Sequence, residues 1–287
     1  MSVDVTLGKD SFLLATPLAG FVRMRQILAT LLLDSEVIHP EKWQQLDVSQ
    51  SPAHATHELR NVTLWLTDIP ASYIIGKDLV PADQPWAEDH FQERVGGKPV
   101  NPGATHHYWP YHGASAQLHL REGDGKKAIY DHNYMERFWP KYAGEGWRLE
   151  QGWVPKDSAL EWDDIPMGYR FPIGDLEDVV QLLIREPSTR QAFLPVWFPE
   201  DTGSTKGQRV PCTLGYHFLA RAGKLSMTYY LRSCEVYRHF TNDVYLAARL
   251  LQWVAARTQM VPAQLTMQIS SFHGFVGDAD KIKALAR

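Results

Sequence analysis

The chain has 287 residues, 44% hydrophobic and 22% charged, with a formal net charge of −4, which is enough apolar material for a sizeable core. The lack of net basic charge argues against backbone binding of polymeric nucleic acid, while a mononucleotide needs only a few local arginines. No apolar run is long enough to span a bilayer, the start Met1-Ser2-Val3-Asp4 lacks a basic leader segment, and two cysteines cannot form a disulfide framework, so a cytoplasmic location is expected.

In chain order, Phe21 to Leu33 carries apolar residues at helical spacing and predicts a helix. Asp47 to His57 is polar and reads as a loop. Asn61 to Thr67 alternates as a strand does and is ended by Asp68-Ile69-Pro70. Trp86 to Arg94 predicts a second helix, closed by Gly96-Gly97, and Asn101 to Gly113 is an aromatic loop punctuated by Pro and Gly. Asp175 to Arg185 predicts a helix, Ala192 to Phe198 a strand, and Pro199 to Gln208 a turn. Two strands, Thr213 to Ala220 and Lys224 to Leu231, join across Arg221-Ala222-Gly223. Asp243 to Gln259 reads as the longest helix and Leu265 to Phe275 as the last strand. No repeat or linker divides the chain, and a single α/β domain is the simplest expectation.

Cys212 follows Pro211 at the head of one strand, and Arg232-Ser233 closes the next. That order brings a thiol beside a fixed cation, and a cation near a thiol favours the nucleophilic thiolate. The plain alternative is a structural cysteine. Arg232 and Arg190 have the planar donors that bind a phosphomonoester. Asp243 presents a carboxylate, or else caps the helix after Asn242-Asp243. The cluster Thr105 to His112, with His106, His107 and His112, has no common zinc spacing and no carboxylate or thiolate beside it, so no metal is expected.

Together, Pro211-Cys212, Arg232-Ser233 and the polar residue at 243 resemble the thymidylate synthase superfamily, most of all its cytidylate 5-hydroxymethylases. The likeness is clear from about Asp178 to Leu285, thinner from Trp86 to His112, and slight over the first eighty residues. It implies a mixed β-sheet flanked by helices, in a homodimer packed sheet to sheet. It implies a pyrimidine nucleoside monophosphate as substrate, dCMP or CMP, and 5,10-methylenetetrahydrofolate as cosubstrate. Members that read uracil carry Asn where this chain has Asp243, and the cytosine-specific hydroxymethylases carry Asp.

By the same resemblance Cys212 is the nucleophile that adds to carbon 6 of the base, and Glu88 the acid that organises water, with Asp89 and Glu93 as rivals. Arg232 and Ser233 clamp the phosphate, and Arg190 reaches the partner subunit's phosphate. Gln191 stands where a second arginine is usual, which weakens that cross-subunit clamp. Arg60 is a candidate for the arginine of a phosphate loop, a solvated surface arginine being the alternative. His273 takes the sugar hydroxyl, with Phe275 in place of the usual tyrosine. Tyr108 and Trp109 lie over base and folate, and Glu235 occupies a pterin-contact position that is Asp elsewhere. The chain ends at Arg287, without the closing tail of methylating members, and that fits water capture better than hydride transfer. The rivals are methylation or hydroxymethylation of dUMP, a non-catalytic nucleotide-binding relative, and a His-rich metal protein.

Overall fold

Alternation of buried and half-exposed side chains builds the large sheet. The computed structural model describes residues 2–8, 10–43, 46–72, 75–101, 103–111, 120–122, 128–130, 132–140, 174–204 and 209–287. The chain gathers into two compact units, Met1–Asp83 with Cys212–Arg287, and Gln84–Pro211.

In the first unit the strands are β1 (Asp4–Leu7), β2 (Phe12–Pro17), β3 (Val37–Ile38), β4 (Lys42–Trp43), β5 (Leu46–Asp47) and β6 (Thr56–Thr67), then β10 (Thr213–Arg221), β11 (Lys224–Glu235) and β12 (Val261–Phe275). They form a mixed sheet in the order β1-β2-β6-β12-β11-β10, with β3 pairing the start of β6 and β4 pairing β5 apart from it. β6 runs antiparallel to β12, which runs parallel to β11. Leu14, Leu64, Met267, Tyr229 and Tyr216 are register neighbours across five strands, and all are buried. One face of each strand therefore makes a continuous core, as period-two alternation dictates.

Helices α1 (Phe21–Leu33), α5 (Phe240–Arg257) and α6 (Ala279–Leu285) belong to this unit. α5 packs on β11 and β12, and α1 on β6 and α6. On the opposite row, Ala15, Thr266, Thr228 and His217 are half-buried and Trp65 is 41% exposed. Among the described residues no helix is long and apolar enough to cross a membrane.

The second unit holds α2 (Trp86–Val95), the hairpin of β7 (Leu120–Glu122) and β8 (Ala128–Tyr130), α3 (Tyr134–Phe138), α4 (Leu176–Arg185) and β9 (Phe193–Pro195). Asp175 and Asp178 close a capping box at the start of α4. Arg137 holds Asp201 through two hydrogen bonds of 2.8 and 2.9 Å, both side chains buried.

Helix α1 has the predicted bounds. Elsewhere the structure corrects the sequence reading. β6 starts at Thr56, inside the expected loop, because its polar first half is paired in the sheet. The strand expected over Ala192 to Phe198 is confined to Phe193–Pro195. A short 3-10 helix, Ala104–Tyr108, stands inside the aromatic loop, and residues 102, 112 and 113 of that loop lie outside the described residues, as do 205–208 of the expected turn. Most consequentially, α5 begins at Phe240, not at Asp243. Phe240 is buried with its ring 5.5 Å from Phe21 and 5.0 Å from Phe272, and that apolar anchor brings three more residues into the helix.

Candidate active site

β10 and β11 form a hairpin whose turn residues, Ala222 and Gly223, both have positive φ, as a tight antiparallel turn requires. This register returns the far end of β11 to the head of β10. The Arg232 amide donates to the Cys212 carbonyl at 2.9 Å, and Arg232 Nη2 lies 3.9 Å from Cys212 Sγ. Cys212 is exposed and unbridged. The structure thus brings together the thiol and the cation that the sequence pairs.

Asp243 lies in the first turn of α5, and its own amide donates to the His239 carbonyl at 2.8 Å. It is a residue of the helix and does not cap it, so the capping alternative fails. The neighbouring amide, Asn242, is buried and fully engaged. Its Oδ1 accepts from the Asp83 backbone at 3.0 Å, while its Nδ2 donates to Asp83 Oδ2 at 2.9 Å and to the Arg238 carbonyl at 3.3 Å. Asp243 Oδ2 accepts from the Cys234 thiol at 3.6 Å. Burial raises Cys234 well above the ordinary thiol range, and the charges of Asp243 and Glu235 add to that. Cys234 therefore stays protonated and is no second nucleophile.

His273 lies between Glu58 of β6 and Glu235 of β11 in the sheet register. Burial lowers it to about 4, so its imidazole is neutral at pH 7. Its Nδ1 is 3.4 Å from Ser233 Oγ. Two residues before it, Ser271 Oγ donates to Glu58 Oε1 in a short contact. Gly274 has a steric reason: a Cβ there would stand 2.5 Å from Ile282 Cδ1 of α6. The Phe275 ring, which lacks the expected hydroxyl, meets Trp43 at 5.8 Å and His54 at 6.2 Å.

Two expected ligands in this unit have other partners. Glu235 is 5% exposed, and its carboxylate accepts from the backbone amides of Tyr237 at 3.0 Å and Arg238 at 2.5 Å. Burial raises its pKa against those hydrogen bonds. It holds the turn into α5 and does not reach outward. Arg60 sits within β6, opposite Ser271, and pairs with Asp10 at 2.8 Å, so it is not the arginine of a loop.

In the second unit, Glu88 is half-buried on α2 and accepts from Gln92 Nε2 at 2.7 Å. Asp89 accepts from the exposed Tyr108 hydroxyl at 2.9 Å. Glu93, the other rival, is tied to Thr105 through its backbone amide at 2.9 Å and its hydroxyl. Burial would raise Glu93, but the hydrogen bonds from His90 and Thr105 bring it below the usual range. That carboxylate holds the 3-10 helix in place. Trp109 packs 6.2 Å from Trp86 and 6.0 Å from Tyr111, part of an aromatic cluster. Arg190 is exposed between α4 and β9. Among the described residues no group of three His, Cys, Asp or Glu side chains converges as a metal site would.

Comparison with known proteins finds distant relatives. A Methanosarcina acetivorans protein provisionally named a thymidylate synthase is 28% identical over 175 residues, covering 58% of this chain and 80% of that relative. Its Methanosarcina barkeri counterpart is 26% identical over 175 residues, with the same coverage. A Methanococcoides burtonii protein of the same provisional name is 28% identical over 115 residues, covering 40% of this chain and 52% of its own length. The Thymidylate synthase family profile matches residues 125–287, which include Arg190, Cys212, Arg232, Ser233, Asp243 and His273 but not Arg60, Glu88, Tyr108 or Trp109. With more than half of its length matched, the chain belongs to the thymidylate synthase family.

Proposed function

We propose that this protein is a cytidylate 5-hydroxymethylase, acting on dCMP or CMP with 5,10-methylenetetrahydrofolate. The observation that carries this is Asp243: a helix residue with no capping role, beside an asparagine whose amide is fully engaged. Cytosine presents an exocyclic amino donor and an N3 acceptor, the reverse of uracil. A carboxylate accepts from the amino group, and its protonated form donates to N3, which assists addition at carbon 6.

The exposed thiolate of Cys212 adds to carbon 6, with Arg232 beside the sulfur, and carbon 5 becomes enamine-like. The folate supplies a one-carbon unit at the oxidation level of formaldehyde. Carbon 5 bonds to that one-carbon unit, loss of the carbon-5 proton expels tetrahydrofolate and leaves an exocyclic methylene, and water adds to the methylene as Cys212 departs from carbon 6, leaving CH2OH on carbon 5. Glu88 is the group we assign to activating that water. Arg232 and Ser233 clamp the phosphate, and neutral His273 meets the sugar hydroxyl. Trp109 and Tyr108 offer stacking surface to base and pterin, whereas Glu235 is better fitted to holding its own turn.

The exposure of Trp65 on the sheet supports a homodimer packed sheet to sheet, with Arg190 acting on the partner subunit's phosphate. The relatives' provisional name favours a second reading, methylation of dUMP. Release of tritium from carbon 5 separates the two. Release from [5-3H]dCMP or [5-3H]CMP in excess over [5-3H]dUMP supports the cytidylate reading, and release from dUMP alone supports the second.

A further inference from the structure

We propose that Cys234 is a positioning residue for Asp243: its buried thiol donates to the carboxylate and fixes the orientation in which that carboxylate meets the pyrimidine edge. The inference rests on the reading of Asp243 as the group that contacts the base.

Cys234 is the penultimate residue of β11 and 2% exposed, while Asp243 is half-buried in the first turn of α5. Sγ and Oδ2 are 3.6 Å apart, within hydrogen-bonding range for sulfur. A buried free thiol ordinarily packs as a small hydrophobe. Here it faces an acceptor across the strand-to-helix junction. The backbone beneath Asp243 is already held from two other directions. Thr241 Oγ1 accepts from Arg25 Nη1 at 3.2 Å, and Asn242 is bonded to Asp83 on both sides of its amide. With the main chain held, the thiol adds a restraint on one oxygen of the Asp243 side chain. Burial keeps that thiol protonated, so it remains a donor. With the thiol on Oδ2, Oδ1 is left to accept from the cytosine amino group.

The test is a double-mutant cycle on base preference. Calorimetric affinities and kcat/KM are measured for dCMP against dUMP, and for CMP against UMP, in wild type, Cys234→Ala, Cys234→Ser, Asp243→Asn and Cys234→Ala/Asp243→Asn. Cys234→Ala is expected to lower the cytosine-to-uracil ratio about three- to tenfold, with Cys234→Ser, which keeps a donor, recovering most of it. In the Asp243→Asn background the alanine is expected to change the ratio less than about twofold. Loss of packing alone would lower both bases together and leave the ratio unmoved, and that result overturns the proposal. Equal ratio shifts with and without Asp243 overturn it as well. If Asp243→Asn itself leaves the ratio unchanged, the base-reading assignment fails first. Should the alanine variant not fold, the serine variant decides: a ratio shifted as far as in Asp243→Asn contradicts a donor role.

Discussion

Arg232 meets Cys212 twice, through its backbone amide on the Cys212 carbonyl at 2.9 Å and through its guanidinium 3.9 Å from the sulfur. The first contact is sheet pairing, and through the second the hairpin sets a cation beside the thiol proposed as the nucleophile. At this separation a unit charge pair is worth about 1 kcal/mol in a water-like medium. Arg232→Ala should therefore slow alkylation of Cys212 by iodoacetamide about fivefold, read by the mass of modified protein over time. Cys212→Ser should abolish carbon-5 hydrogen exchange while changing stability by less than about 0.5 kcal/mol, because the side chain is exposed. Exchange persisting in the serine variant would remove Cys212 from the mechanism.

Asp243→Asn should shift preference from cytosine toward uracil nucleotides by about tenfold or more, since a site built for one hydrogen-bond pattern leaves groups unpaired against the other. The ratio of kcat/KM values for dCMP and dUMP measures it. An unchanged ratio would show that the carboxylate does not touch the base.

His273 and His90 are both lowered to about 4 by burial. A depressed histidine is neutral in the fold and takes up its proton on unfolding, so stability is complete above the unfolded value near 6.5. It declines as pH falls from there toward 4, by on the order of 1 kcal/mol per pH unit for each group. Urea midpoints measured between pH 7 and 4.5 should fall, and His273→Asn should flatten the decline. An equally steep decline in that variant would mean that His273 is not buried neutral.

The Arg137–Asp201 pair is buried and bidentate. Asp201→Ala leaves an uncompensated cation in the second unit and should cost about 3–5 kcal/mol. Chemical denaturation would detect it, and a loss under about 1 kcal/mol would show that the pair is solvated.

Trp65→Glu should dissociate the proposed dimer, and sedimentation of wild type and variant checks it: a wild type that sediments as a monomer would contradict the dimer itself. Arg190→Ala subunits mixed with Cys212→Ser subunits should regain part of the activity through one intact composite site. No recovery between subunits shown to exchange would contradict an arginine acting in trans.

The Cys212–Arg232 relationship was legible in the sequence because a two-residue turn fixes a hairpin's register, with one irregularity between Thr213 and Gly215. The bounds of α1 were legible from its apolar spacing. The start of α5 was not: Asn242-Asp243 looks like a capping signal, but Phe240 is pulled into the core by Phe21 and Phe272, contacts remote in sequence. β1 is short and exposed throughout, and β6 opens on polar residues whose partners lie across the sheet, so neither shows clear alternation. The Cys234–Asp243 contact spans an irregular strand-to-helix junction, where no spacing rule applies. For Glu235 the missing information was direction: its type suits a ligand contact, and its backbone partners turn it inward.

The central claim is tested most directly by mass spectrometry of dCMP, CMP and dUMP, each incubated with the protein and 5,10-methylenetetrahydrofolate. The account predicts a gain of CH2O on a cytosine nucleotide, absent with Cys212→Ser. A gain of CH2, or reaction on dUMP alone, would contradict it.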